Sequence, residues 1–485
     1  MSSDMSISKQ LANNALWKYI ELVSVSGIQL LSTFILARFL TPADYGIIGM
    51  VVVFTALANV FIESGFSQAI IREKEVTRID YSTVFYFNVI VSIALYLILF
   101  FSSGLIAKFY NEPQLNNICK VTFLILPINA LGIIQNAKLQ RELKFKKICV
   151  ISIISIIVSS IISIFIAYKL RNVWALVMQN FLIMLCKTLL LWITTDFIPL
   201  LKFSKSSFAK YFNFSKNLLV SSLIGTIFNN IYTLIIGKHY STTDLGYYSQ
   251  ADRIKNLASH TTTQVIQSVS YPILSKINNE TGSIKDAYKE IISIALIFVG
   301  VAMSLLIGCA QDLFEFLMGS DTWREAGVFF VLLGVNGILY PLHCINQNIL
   351  MVKGNSKMVL RLEITRRAIM VIILMITLNF NIYVFVFGLT FYSVLLLFLN
   401  LYFCGKPINY TLIEQLKDTF PLFLRFAIMI AIMIIVGSIL SEKLLIVRLL
   451  VSILIGITTG LAVFWKQHNF QKMIKLMKSL IFKNN

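Results

Sequence analysis

Residues 148–167 read ICVISIISIIVSSIISIFIA, twenty residues without one charge. A membrane-spanning helix needs about 20 mostly apolar residues. Lipid satisfies no bare backbone, so only helices and closed barrels cross it. A barrel strand would alternate apolar and polar residues with period two over about 10 residues. This run has no such alternation and reads as a helix.

Similar runs recur along the whole chain, at 16–37, 46–70, 83–107, 117–137, 148–168, 173–195, 216–237, 246–272, 289–310, 326–350, 362–380, 382–404, 421–441 and 444–465. That predicts an all-α integral membrane protein of about 14 transmembrane helices. Composition agrees. Of 485 residues, 57% are hydrophobic and 13% charged, with a mean hydropathy of +0.79. Soluble domains carry about 25% charged residues, and a soluble core could not hide this much apolar surface. Met1 to Gln10 is polar and the apolar stretch after it is long enough to stay as a span, so no cleavable signal is read there.

The net charge of +19 would first suggest nucleic acid, but here it is sorted by loop. With the N-terminus in the cytoplasm, the inner loops hold clusters such as Lys138, Arg141, Lys144, Lys146 and Lys147. The outer loops hold only Arg38, Lys108, Lys169, Arg171, Lys238, Arg324 and Lys443. This is the positive-inside pattern. It predicts both termini at the cytoplasmic face of the cytoplasmic (inner) membrane and no nucleic-acid partner. Residues 470–482 alternate apolar residues with Lys472, Lys475 and Lys478, which fits either an amphipathic helix on the inner leaflet or a basic solvated tail. The six cysteines are scattered and the four histidines form no cluster, so no metal, cofactor or redox role is read from them.

An internal repeat sets the architecture. Residues 35–47, ILARFLTPADYGI, align without a gap at an offset of 200 to residues 235–247, IIGKHYSTTDLGY. Thr41 matches Ser241, Asp44 matches Asp244 and Gly46 matches Gly246. A second echo pairs Gln135-Asn136 with Gln347-Asn348. The chain therefore reads as two parallel six-helix lobes, 1–200 and 201–410, followed by two extra helices in 411–467 and a basic tail from 468 to 485. Asp44 and Asp244 are read as helix caps in tight turns.

Polar residues inside a span face a bundle interior or a wet cavity. In the eighth span Asp252, Asn256, His260, Thr263 and Gln267 recur every three or four residues, with Arg253 and Lys255 beside them. Thr55, Asn59, Glu63 and Ser67 form a matching stripe in the second span. Gln29, Asn229, Asn336, Tyr340 and His343 add to these. Hydroxyls, amides and aromatics suit sugars. Arg253, Lys255, Arg361, Arg366 and Arg367 suit a phosphate, which arginine binds through its fork. The competing reading is hydrogen bonding between helices, or Asp252 pairing with a neighbouring base.

Four segments, FLTPADYGIIG at 39–49, ESGFSQAIIR at 63–72, QNAKLQRELKF at 135–145 and GYYSQADR at 246–253 followed by YPILS at 271–275, resemble the Wzx-type oligosaccharide flippases, in the branch that includes colanic-acid exporters. The resemblance runs from about residue 10 to residue 410. It implies membership of the multidrug/oligosaccharidyl-lipid/polysaccharide exporter superfamily. That in turn implies two six-helix lobes around a central cavity, alternating access, and a cargo of undecaprenyl-pyrophosphate-linked oligosaccharide. The expected partners are this polyprenyl pyrophosphate lipid and membrane lipid, with a coupling ion (H+ or Na+) and polysaccharide polymerase machinery as further candidates.

Two other functions compete with this reading. A cation-coupled drug exporter of the same superfamily often depends on a buried carboxylate in the N-terminal lobe; here the first span has only Glu21, near its inner end, and Glu63 is near the inner end of the second. A polymerase or ligase would need catalytic groups on a sizeable outer loop. The longest here, Gln311 to Glu325, is acidic and lacks an arginine cluster. No phosphate-binding GxxxxGK[ST] loop is present, and no enzyme activity is expected.

Overall fold

The computed structural model describes residues 2–63, 65–279 and 283–472. Among these the chain is helical throughout. The helices are α1 (Ser2–Ala37), α2 (Pro42–Glu63), α3 (Phe66–Arg72), α4 (Arg78–Tyr110), α5 (Leu115–Thr122), α6 (Ile125–Arg141), α7 (Phe145–Leu170), α8 (Trp174–Thr194), α9 (Lys205–His239), α10 (Thr242–Lys255), α11 (Thr262–Asn279), α12 (Ile284–Gly308), α13 (Ala310–Met318), α14 (Arg324–Val352), α15 (Ser356–Thr377), α16 (Ile382–Gly405), α17 (Leu412–Ile439) and α18 (Leu445–Phe464). The chain divides into two compact units, Met1–Gly246 and Tyr247–Asn485.

Twelve helical stretches among the described residues are long and apolar enough to cross a membrane. Long helices also occupy the two remaining places where the sequence predicts spans. One is α10–α11, rich in polar groups; the other is α15, which carries Arg361, Glu363, Arg366 and Arg367. Polarity, not length, sets them apart from the twelve: charged side chains in α15, and largely uncharged polar ones in α10–α11.

Helix α7, which contains the opening stretch, shows how membrane packing inverts the soluble pattern. Ser155, Ser159 and Ser163 are fully buried, while Ile161 and Phe165 are exposed. Small hydroxyl residues let α7 approach α1 and α8 closely. Each of these three hydroxyls returns its proton to a backbone carbonyl three or four residues back, so none of the three is stranded.

Helix starts are written locally. Thr77 and Asp80 form a reciprocal capping box at α4, as do Thr411 and Glu414 at α17. The repeated motif is close to this: at Asp244 the box is reciprocal, its amide donating to Ser241 Oγ at 3.0 Å, whereas the Asp44 amide donates to the Thr41 carbonyl at 3.1 Å. The Thr41 amide and hydroxyl both donate to Asp44 Oδ2 at 2.8 Å, and the Ser241 hydroxyl donates to Asp244 at 2.7 Å. Thr41 and Ser241 are thus the N-caps, and the aspartates sit three residues inside the helix.

The two motif copies also touch reciprocally within residues 1–246. A Cβ on Gly46 would lie 1.8 Å from the Thr242 carbonyl oxygen, and one on Gly246 would lie 1.8 Å from the Pro42 carbonyl oxygen. Pro42 and Thr242 are themselves 200 residues apart, so the contact has the two-fold character of the repeat. Only glycine permits this approach.

The acidic segment at Gln311–Glu325 folds as α13 and a short 3-10 turn at Asp321–Trp323. Two of its acids are taken up in unit 2 by arginines, one from α18 and one from the segment's own end: Arg448 Nε donates to Asp312 at 2.6 Å, and Arg324 pairs with Glu315 at 3.0 Å. This network ties α18 to α13. The basic tail beyond Lys472 lies outside the described residues.

Candidate functional site

In unit 1 the second-span stripe lies along α2 and α3. Asn59 Oδ1 accepts from Asn129 Nδ2 at 3.0 Å, joining α2 to α6. Glu63, the last residue of α2, is exposed and lines a cavity of about 280 Å³ between α2–α3, α6 and α8. Ser67, Asn136, Gln140 and Lys187 line it too. Gln29 on α1 is half-buried and Asn229 on α9 is exposed. Neighbouring α1 is fastened by polar contacts, with Ser32 accepting from Gln179 at 2.7 Å and Glu21 accepting from Ser152 at 2.8 Å.

Lys187 is the residue the sequence reading passed over. It is a lone charge in the apolar sixth span, and an ionisable residue inside the membrane is a functional candidate by default. Its position alone was signal enough.

In unit 2 the eighth-span stripe does not run as one α-helical face. A π-helical turn at Asn256–Thr261 interrupts it. The wider turn shifts the register of everything after it. Asp252 and Asn256 stay accessible while Ser259 and Thr263 are buried. Asp252 gathers its own helix: Lys255 Nζ donates to it at 2.5 Å and Asn256 Nδ2 at 2.8 Å. Arg253 is half-buried beside them. Ser259 Oγ donates to the Gly337 carbonyl at 2.5 Å, so the π turn is docked on α14. His260 lies over Tyr340, with ring centroids 4.4 Å apart and planes 32° from parallel.

The rest of α14 enters a second network. Arg366 Nη2 donates to Asn400 Oδ1 at 2.7 Å, which fixes the orientation of that amide. Asn400 Nδ2 must then donate to His343 Nδ1, 2.8 Å away. A nitrogen that accepts carries no proton, so His343 is neutral and its Nε2–H donates to Ser393 at 2.9 Å. Arg366 and Arg367 both pair with Glu363, at 3.5 and 2.7 Å. Arg361 on the same helix is exposed, and Asn336 on α14 is half-buried. Gln267 Nε2 donates to Asn348 Oδ1 at 3.2 Å, joining α11 to α14.

The structure therefore brings together Asn59 with Glu63 in unit 1. In unit 2 it brings together Asp252, Lys255 and Asn256, then His260 with Tyr340, then His343 with Arg366 and Arg367. Gln29 and Asn229 sit on other helices of unit 1. Among the described residues no group of three or more His, Cys, Asp or Glu side chains is placed to hold a metal.

Known proteins resemble the chain in sequence and in fold. The model of a family described as polysaccharide biosynthesis protein matches residues 35–328. The teichuronic acid biosynthesis protein TuaB of Bacillus subtilis (strain 168) is 25% identical over 355 residues, covering 72% of this chain and 73% of that protein. The lipopolysaccharide biosynthesis protein WzxC of Escherichia coli (strain K12) is 24% identical over 341 residues, covering 69% and 68%. Among solved structures, the lipid II flippase MurJ in its inward closed conformation superposes with a TM-score of 0.70 at 15% identity, over 93% of this chain and 99% of that one. An inward-facing multidrug resistance MATE family transporter of the MOP superfamily gives 0.54 at 15% identity, over 80% and 93%.

Proposed function

Since the chain belongs to the polysaccharide biosynthesis protein family, we propose that it is a flippase carrying undecaprenyl-pyrophosphate-linked oligosaccharide repeat units from the inner to the outer leaflet, by alternating access, for assembly of a surface polysaccharide. The observation that carries this reading is the family match over residues 35–328, on a fold shared with a lipid II flippase. The polar faces of both units support it. Amides, hydroxyls and rings at Asn59, Asn229, Asn256, His260, Asn336 and Tyr340 offer the mixed donors and acceptors that sugars need. Arg253, Lys255 and Arg361 are the cations nearest those faces along the chain, and Arg361 is exposed. Arg366, Arg367, Lys255 and His343 would engage cargo only by exchanging internal partners.

The prenyl tail stays in lipid while the head group crosses. The membrane is the cytoplasmic one, with both termini inside, as the sorting of basic loops indicates. The repeat divides the chain at 1–200 and 201–410, with the last two helices and the tail as additions. Each negative charge on the head group gains about 2.3 kcal/mol per 100 mV on moving toward a positive exterior, so the potential itself favours export. The chain moves cargo without catalysing a reaction on it, and hands it to polymerase machinery on the outer face.

The test is in cells lacking the protein, with membrane lipids extracted and lipid-linked oligosaccharide quantified by mass spectrometry. A complete repeat unit on its prenyl pyrophosphate should accumulate while surface polymer is lost. Normal intermediates and normal polymer, with greater sensitivity to cationic dyes, would replace this reading with a drug exporter.

A further inference from the structure

Two apolar grooves of nearly equal size lie between corresponding helices of the repeat. In unit 1 a groove of about 400 Å³ runs between α7 and α8. Lys147, Val150, Ile151 and Ile154 stand at i, i+3, i+4 and i+7, so they share one face of α7. Leu190 and Thr194, four residues apart on α8, form the other wall. In unit 2 a groove of about 390 Å³ lies between Ile369 of α15 and a wall of α16 that includes Phe398 and Tyr402. Tyr402 stands where unit 1 has Leu190, at the same offset that pairs Gln135 with Gln347.

The rims differ. Lys144, Lys146 and Lys147 stand at the end of the unit 1 groove where α7 begins and α8 finishes. Among the described residues no charged side chain lines the groove of unit 2. Two of the three lysines are held by neutral partners. Lys147 Nζ donates to the Thr194 carbonyl, and Lys146 lies over the Trp17 ring, 5.3 Å from its centroid. The nearby acid Glu142 is taken by Lys144 at 2.7 Å and reaches Lys138 at 3.8 Å. Lys146 and Lys147 form no ion pair among the described residues.

An aliphatic wall that leads to two lysines without counter-ions matches a molecule that joins an apolar chain to an anion. Val150 and Ile154 are exposed on the lipid-facing side of α7, so such a molecule reaches them from the bilayer. From Lys147 to Ile154 the helix rises about 10 Å, which suits the upper part of one acyl chain. We propose that the α7–α8 groove of unit 1 holds one anionic phospholipid, its chain against Val150, Ile154 and Leu190 and its phosphate on Lys146 and Lys147. Basic pockets between spanning helices on the cytoplasmic side take anionic head groups, and the groove adds a chain contact that a bare basic loop lacks. The groove of unit 2, without the cationic rim, accepts lipid chains with no preference among head groups. The site belongs to the lipid-facing surface and stands or falls whatever the chain exports.

The experiment uses the purified, delipidated full chain in a non-ionic detergent. It is titrated with dioleoyl phosphatidylglycerol or, as the uncharged reference, dioleoyl phosphatidylcholine, and retained lipids are counted by native mass spectrometry. One phosphatidylglycerol is retained at concentrations where phosphatidylcholine is not, and added salt weakens its retention. Lys146→Gln and Lys147→Gln weaken it by about fivefold each, whereas Lys146→Arg with Lys147→Arg, which keeps the charge, preserves it. Ile154→Trp fills the groove without touching a charge and removes the bound lipid as well. Lys353→Gln with Lys357→Gln takes two exposed lysines from unit 2 and leaves retention unchanged. Equal retention of the two lipids, retention that survives the loss of both Lys146 and Lys147, or an equal loss in the Lys353 and Lys357 variant overturns the proposal. So does stoichiometric displacement of the phospholipid by undecaprenyl phosphate, which would make the groove a cargo site.

Discussion

Asn348 in unit 2 has a partner for its carbonyl and for its amide, whereas Asn136, its counterpart in unit 1, presents a bare carbonyl oxygen to a cavity. The difference comes down to side-chain length one helix away: glutamine reaches across and serine does not. The same contrast extends along both stripes. Ser259 and Thr263 of unit 2 are buried and bonded to backbone carbonyls, while Asn59 and Glu63 at the matching positions remain partly or fully accessible. A duplicated framework has thus become a sealed polar interior in one copy and an open one in the other. Sealed networks hold helices together; open ones keep capacity for a ligand.

Breaking the sealed side should cost the most. Asn400→Leu removes the acceptor of Arg366 and the donor to His343 in one step. Leaving a buried charge short of a partner costs about 3 kcal/mol, so the detergent-solubilised variant should melt well below the parent. Asn136→Ala deletes an oxygen with no protein partner and should change stability by about 0.5 kcal/mol or less. Equal losses from the two would erase the distinction between the copies.

The glycine contact sharpens the comparison from the other direction, because there the copies are equivalent. Gly46→Ala and Gly246→Ala each drive a methyl group into a backbone carbonyl of the opposite motif. Each should cost about 1–3 kcal/mol, the usual price of overpacking. The two losses should match within error, and the double variant should lose less than their sum, since the first separation relieves the second clash. Strictly additive losses in differential scanning fluorimetry would show that the two glycines do not share one contact. Asn348→Ala ranks next, at about 1–2 kcal/mol, through the unpaired Gln267 and Ser270 it leaves behind.

These contrasts also mark what the sequence can disclose. The run at 148–167 discloses a helix because twenty uncharged residues have one solution in lipid. The 35–47 and 235–247 segments disclose the duplication because capping and close approach both depend on local residue types: Thr or Ser, Asp and Gly. What lies beyond reach is anything decided across helices. The eighth span looks like a single polar face because α-helical spacing is assumed, and nothing local announces the π turn at Asn256–Thr261. Arg366 and His343 look available in sequence, and only the meeting of α14, α15 and α16 shows them engaged through Asn400. Lys187 is the opposite case, a visible signal outweighed by the apolar residues around it.

The smallest loss apart from that of Asn136→Ala tests the repeat at its most local. Asp44 accepts from the Thr41 amide and hydroxyl, and Asp244 accepts from those of Ser241. Removing either carboxylate by Asp44→Ala or Asp244→Ala takes the acceptor from the amide and hydroxyl of the residue that starts the helix, for a loss of about 1 kcal/mol. Both helix starts are exposed, so water takes over part of the lost bonding and keeps the cost low. The shorter contacts at Thr41, 2.8 Å from the amide against 3.2 Å at Ser241, place Asp44→Ala slightly below Asp244→Ala in melting temperature. Neither variant touches the cavity at Glu63 or the network at Asn400, so transport should persist in both. A loss of transport in a variant that still melts near the parent would move these aspartates out of the capping role and into the transport cycle.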